Sequence, residues 1–131
     1  MRRRVINFAL LVVAVLAVGG DLAQGPQLSI DNVYSYRQNG FYWTVFVHED
    51  ATVLQKVRCV QYTLHPTFPT PVQRTCDRTK SFALNAVGWG EFTILLKIEW
   101  INGRTTFQSY RLDLHSASRR DRKIPDRLRV H

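Results

Sequence analysis

The sequence is poor in the residues that build metal and catalytic centres. It has two cysteines and four histidines, with no Cys-x-x-Cys pair and no Cys/His group at zinc spacing, so a zinc site is not expected. No Gly-x-Ser-x-Gly elbow occurs, and where two carboxylates follow a histidine, at His48-Glu49-Asp50, the stretch reads as a turn after a strand. A hydrolase would lack a nucleophile, a base and an orienting group in one place. Asp113 and His115 are two apart and share a strand face, which could make a dyad, but a strand-end ion pair is the simpler reading. No cofactor is expected. Helical periodicity is absent from the body of the chain, and the longest apolar run, Val5 to Val18, is shorter than the roughly 20 residues of a membrane span.

A basic excess is present but badly placed for nucleic acid. The formal net charge is +8, of which Arg2, Arg3 and Arg4 supply three. From Ser116 to His131, five Arg and one Lys face Asp121 and Asp126, which accounts for four more and leaves about +1 for Val5 to His115. The globular part has no excess with which to follow a phosphate backbone, and specific nucleic-acid binding is not expected.

The three arginines precede an apolar run that exits through Gly19-Gly20-Asp21. That order fits a secretory signal peptide, with an uncleaved anchor as the alternative. In either case the arginines stay on the cytoplasmic side and the domain is exported, periplasmic or secreted, or held outside the cytoplasm by a membrane anchor. The organisation expected is a signal peptide or signal anchor over residues 1–22, a folded domain over 26–115 and a mobile basic tail over 116–131, the last a candidate contact for an anionic membrane surface.

Between these ends the chain reads as strands. Phe41 to His48 is aromatic and β-branched throughout. Leu54 to Leu64 follows a turn at Glu49 to Ala51. From Gly90 to Trp100, period two puts Phe92, Ile94, Leu96, Ile98 and Trp100 on one face. Asn102-Gly103 signals a two-residue hairpin, and the returning strand, Thr105 to Leu114, shifts register after Phe107 as a bulge would. Weaker strands fall at Leu28 to Tyr36, Gln73 to Thr75 and Ser81 to Leu84. Seven or eight short strands without a helix imply an antiparallel β-sandwich. If the strand before the prolines and the segment after them form a hairpin about Phe68, Cys59 and Cys76 lie nearly opposite. A disulfide and two separate thiols both remain open.

Two loops carry the unusual residues. Pro66, Pro69 and Pro71 stiffen the stretch Leu64-His65-Pro66-Thr67-Phe68-Pro69-Thr70-Pro71, because proline fixes φ and lacks a ladder N–H. Gly88-Trp89-Gly90 flanks a large ring with flexible backbone. Two aromatic faces can hold a flat amide or unsaturated acyl group between them. Its buried carbonyl then needs a donor, and an unmet partner costs about 1–3 kcal/mol. The Thr67 hydroxyl and a backbone N–H near Trp89 are the candidates, with His65 placed to hold Thr67. Singly, each residue also fits a structural role: Phe68 as a core anchor, Trp89 as a cap, His65 and Thr67 as loop hydrogen-bonders.

The run "LHPTFPTP", the spaced "SFALNAVGWGEF" and the upstream "FYWTVFV" occur in the order of one known family. The chain resembles the YEATS domains, and looks like a prokaryotic member, over about Gln27 to Leu114. The resemblance implies an immunoglobulin-like sandwich and a non-enzymatic module that binds acetyl- or crotonyl-lysine. Carried over, the ligand-binding set is His65, Thr67, Phe68, Gly88, Trp89 and Gly90, with Phe41, or else Tyr42, as a further aromatic. The implied partner is an acylated lysine-bearing protein or another acyl- or amide-bearing molecule. The alternative is an exported immunoglobulin-like interaction domain at the cell envelope with no acyl-lysine binding.

Overall fold

The computed structural model describes residues 25–38 and 40–125. The expected signal segment, 1–22, and the last tail residues, 126–131, lie outside them. Two antiparallel sheets face each other. One holds β1 (Ile30–Arg37), β2 (Gly40–Val47) and β5 (Leu84–Gly88) in the order β1-β2-β5. The other holds β3 (Val57–Thr63), β4 (Val72–Thr75), β6 (Thr93–Trp100) and β7 (Thr105–Arg111) in the order β4-β3-β6-β7. The antiparallel β-sandwich expected with seven or eight strands is observed, with seven among the described residues.

Alternation decides the layers. Trp43, Val45 and Val47 of β2 meet Val60 and Tyr62 of β3 and Ile94, Leu96 and Ile98 of β6 in one buried cluster. Each fully buried side chain of this size contributes about 1.5–3 kcal/mol by leaving water. Among the described residues, buried side-chain polar groups are bonded, with the Trp43 indole N–H as the exception. The Tyr62 hydroxyl donates to the Phe82 carbonyl at 2.7 Å, and burial pushes its pKa far above the ordinary phenol value. Asn32, fully buried on β1, clasps the segment after β7: its Nδ2 donates to the Asp113 carbonyl at 2.8 Å, and its Oδ1 accepts from Tyr110 Oη at 2.6 Å and Asp113 N–H at 3.0 Å.

Several local expectations are corrected. The stretch read as turn and early strand contains a one-turn helix, α1 (Ala51–Leu54), capped by Asp50, whose carboxylate accepts the Val53 N–H at 3.1 Å. A bulge sits not after Phe107 but in β3, where pairing with β6 shifts between Val57 and Cys59. The β6–β7 register runs unbroken, and Phe107 simply points outward, 59% exposed opposite Lys97. Thr106 takes the inward place because the buried Trp100 indole N–H donates to its hydroxyl oxygen at 2.8 Å. Asn102-Gly103 belongs to a three-residue loop, with Gly103 at φ +90° and Trp100 N–H bonded to the Arg104 carbonyl at 2.9 Å. Ser81 and Phe82 are not strand but a left-handed turn, both at φ +54°. That displaces β5 toward Gly88.

Cys59 and Cys76 are joined by a disulfide, one register step beyond the Val60–Thr75 pair. The chain also stays ordered past the expected domain end. Ser116 to Asp121, read as the start of a mobile tail, is pinned by Arg119, which donates to Asp31 at 2.7 Å and Asp113 at 2.8 Å. Arg120 then forms a parallel bridge with Tyr34, and the Asp121 N–H donates to the Tyr34 carbonyl at 2.6 Å.

Candidate functional site

The β3–β4 and β5–β6 loops meet at one end of the sandwich. They line a cleft of about 370 Å³ formed by His65, Thr67, Phe68, Pro69 and the stretch from Val87 to Phe92. The first loop is closed by Leu64 N–H to the Pro71 carbonyl at 2.8 Å, and a turn inside it is fixed by Phe68 N–H to the His65 carbonyl at 3.0 Å. The prolines stiffen what these two bonds close.

His65 and Thr67 form a small device. His65 Nδ1 accepts the Thr67 backbone N–H at 3.2 Å and lies 2.8 Å from the Thr67 hydroxyl oxygen. A nitrogen that accepts an N–H carries its lone pair, so in this arrangement the hydroxyl donates to it and the ring proton sits on Nε2. Thr67 Oγ1 is thereby left with lone pairs for an incoming N–H. The sequence had offered Thr67 as a donor to a carbonyl. The geometry commits its proton to His65 and makes the oxygen an acceptor.

Phe68 is half-buried. Its ring meets Trp43 edge-on (6.2 Å, 79°) and leans on Phe92 (5.4 Å, 47°). It can seat there because Gly88 has no side chain: a methyl at that position would lie 3.2 Å from Phe68 Cζ and 3.6 Å from Trp43 Nε1. Trp89 is 74% exposed and contributes its surface to the same cleft. The recorded ring partners of Phe68 are thus Trp43 and Phe92, not Trp89 as a parallel slot would require.

Six of the seven expected ligand-binding residues line this cleft: His65, Thr67, Phe68, Gly88, Trp89 and Gly90. Phe41 does not. It pairs with Gly88 across β2–β5, but its ring packs edge-on against Tyr36 at 4.9 Å and Tyr34 at 6.0 Å. Tyr42, the alternative, lies under the Arg37 guanidinium at 4.8 Å. Pro69, Val87, Glu91 and Phe92 are lining residues that sequence reasoning did not single out, although Phe92 had been placed on the inward face.

Glu91 anchors the second loop. Its Oε2 accepts the Leu114 N–H at 2.7 Å and lies 2.6 Å from His115 Nδ1. The hydrogen bond to His115 holds the Glu91 carboxyl below its ordinary value, and the same bond, with the Asp113 and Glu91 charges, raises the His115 imidazole above its own. Burial works to raise Asp113, but hydrogen bonds from the Ser116 hydroxyl and the His115 and Ser116 N–H groups outweigh it and hold Asp113 low. Glu91, Asp113 and His115 could together face a cation. Asp113 Oδ2, however, already takes the Ser116 hydroxyl and Arg119, so the group is an ionic clasp. The Asp113–His115 pair thus sits at 3.4 Å, secondary to Glu91–His115.

A β-sandwich that gathers a hydroxyl, an imidazole and exposed aromatic surface in two loops at one end has the form of a small recognition module. The model of the prokaryotic YEATS domain matches residues 41–113, more than half of the chain, and the protein belongs to that family. It is 32% identical over 78 residues to the AF-9 homolog protein of Saccharomyces cerevisiae and 36% identical over 78 residues to that of Candida glabrata, covering 56% of this chain in each case. Those alignments span 34% of each relative, so the chain corresponds to about a third of their length. Among solved structures it is similar to the Yaf9 YEATS domain recognising a succinylated histone H3 peptide (29% identity, TM-score 0.56, 66% of this chain and 69% of that one). It is also similar to the Yaf9 YEATS domain bound to an acetylated histone H3 peptide (25% identity, TM-score 0.51, 72% and 82%). YEATS domains are reader modules, generally non-enzymatic.

Proposed function

We propose that this protein is a non-enzymatic reader of acylated lysine, and that the acyl-amide group enters the cleft between Phe68 and Trp89. The observation that carries the reading is the His65–Thr67 pair at the cleft wall. With its proton committed to His65, Thr67 Oγ1 accepts the amide N–H of the acylated side chain. A backbone N–H near Trp89 is left for the carbonyl. Phe68 and Trp89 remove the acyl carbons from water. An unmodified lysine is excluded because its ammonium would lose its hydration against aromatic walls and would meet a hydroxyl with no negative partner.

The N-terminal arginines and apolar run support export, so the acylated partner would be met outside the cytoplasm, at the cell envelope. Contact with an anionic membrane surface would fall to Arg122, Lys123 and the residues after them, since Arg119 is engaged with Asp31 and Asp113.

Tryptophan fluorescence of the full chain, titrated with peptides carrying acetyl-, crotonyl- or unmodified lysine, tests the proposal. Response to the acylated peptides alone is expected, and it should vanish in Phe68→Ala, which keeps the exposed Trp89 ring in the cleft as the reporter. A folded protein silent to every acylated peptide at millimolar concentration overturns the reading.

A further inference from the structure

Among the described residues, Trp43 Nε1 is the buried side-chain nitrogen or oxygen without a hydrogen-bond partner. Trp43 is 2% exposed. Elsewhere the fold does not tolerate this. The Trp100 indole, also buried, donates to Thr106, and the buried Tyr62 hydroxyl donates to a carbonyl. A buried donor left unmet forfeits its hydration without return, and such groups call for a reason.

The place of this N–H supplies one. Trp43 Nε1 and the tip of the Phe68 ring lie side by side over the bare inner face of Gly88, 3.6 Å and 3.2 Å from where a Cβ would stand. Gly88 and Phe68 both line the cleft. The donor therefore lies directly behind the lining, next to a half-buried ring carried on a loop. A swing of that ring would join the cleft to the indole N–H. The surroundings there are the rings of Phe68 and Phe92, which stand 6.2 Å and 6.0 Å from Trp43. They offer no countercharge, so a neutral oxygen suits the place better than a carboxylate.

We infer that Trp43 is a specificity-determining donor of this site, selecting acyl groups longer than acetyl that carry a neutral hydrogen-bond acceptor near the far end, such as a keto-acyl chain. The inference rests on the acyl-lysine reading and deepens it. Gly88 is then the gap that lets the acyl end and the Phe68 ring compete for one space, and the idle N–H is the recognition group held in reserve.

The test compares two chains of equal heavy-atom count and branching on one peptide: acetoacetyl-lysine, with a distal ketone, and isovaleryl-lysine, with a methyl branch in its place. Calorimetric titration of the full chain is expected to show the keto peptide binding several-fold tighter, within the roughly 2- to 12-fold range of one net hydrogen bond. Trp43→Phe, which keeps a ring but removes the donor, should abolish the preference while retaining isovaleryl binding. Should that variant fail to fold, the wild-type protein still decides. The indole N–H resonance of Trp43 should move downfield with the acetoacetyl peptide and stay with the isovaleryl one. Equal affinities, or an unmoved Trp43 resonance on saturation with the keto peptide, overturn this inference and leave the reader proposal standing. If neither peptide binds, this inference falls, and the titration with acetyl- and crotonyl-lysine peptides decides whether the reader proposal falls with it.

Discussion

Gly88→Ala separates the seating of Phe68 from the stability of the fold. The added methyl would lie 3.2 Å from Phe68 Cζ and 3.7 Å from Cε2, so the ring must give way by a few tenths of an ångström. Gly88 closes β5, its φ lies outside the left-handed region, and the backbone accepts alanine without strain. Alanine should therefore gain about 0.4–1 kcal/mol by restricting the unfolded chain. Crowding a packed ring costs about 1–3 kcal/mol. The net is a loss of roughly 0–2.6 kcal/mol, which lowers Tm by up to about 10–20 °C for a domain of about 100 residues. Binding should suffer separately, because a displaced Phe68 loses its stacking on the ligand. An aromatic contact of about 0.5–1.5 kcal/mol corresponds to roughly 2- to 12-fold in Kd. Thermal unfolding and titration with crotonyl-lysine peptide, on the same sample, read both quantities. A variant that is more stable than wild type and binds equally well would show that Phe68 does not rest on Gly88, and the account of the cleft floor would fail.

Replacing both Cys59 and Cys76 by alanine should cost about 3 kcal/mol, from the chain entropy of a closure 17 residues apart. Calorimetry should register this as a Tm lower by more than about 10 °C, and a drop of only a degree or two would argue against it. The Glu91–His115 clasp gives a pH signature. His115 is raised above 6.5, so its contribution is complete below 6.5 and fades as pH rises through the raised value. Glu91 is lowered below 4.5, so its contribution is complete above 4.5 and is lost as pH falls through the lowered value. The Tm difference between wild type and Glu91→Gln should therefore be widest between pH 4.5 and 6.5, and a difference that widens above pH 7 would contradict the clasp. Arg119→Ala should release the segment behind it, seen as faster hydrogen exchange at the Asp121 amide, with little change at amides of β6.

Much of this architecture was legible in the residues. The alternation of β6 predicted its buried face, because period two has no other way to hide Ile94, Leu96 and Ile98 together. The prolines and the Gly-Trp-Gly triplet marked both cleft loops, since each imposes backbone geometry locally. What stayed hidden depended on distant partners. Phe107 looks like a core residue but is outward, because the polar Thr106 earns its buried place from the Trp100 indole. Phe82 looks like strand but turns left-handed, held by a bond from Tyr62 twenty residues away. Phe41 has the right composition for a pocket wall, yet the β1–β2 pairing gives its ring to Tyr34 and Tyr36. Glu91 gave no signal at all, because its partners lie in the segment after β7.

The pairing of Tyr34 with the segment around Arg120 has a bearing on how this sandwich lives among other chains. β1 is the outer strand of its sheet, and the exposed rim of such a strand is a template for any extended peptide, including a second copy of itself. By lying along that rim, the residues from Arg119 to Asp121 occupy a stretch of it with the protein's own backbone. The positive tail is thus a guard as well as an extension. Trimming the chain at His115, where the hydrophobic pattern stops, would spare the buried cluster while uncovering a strand edge open to pairing with another chain.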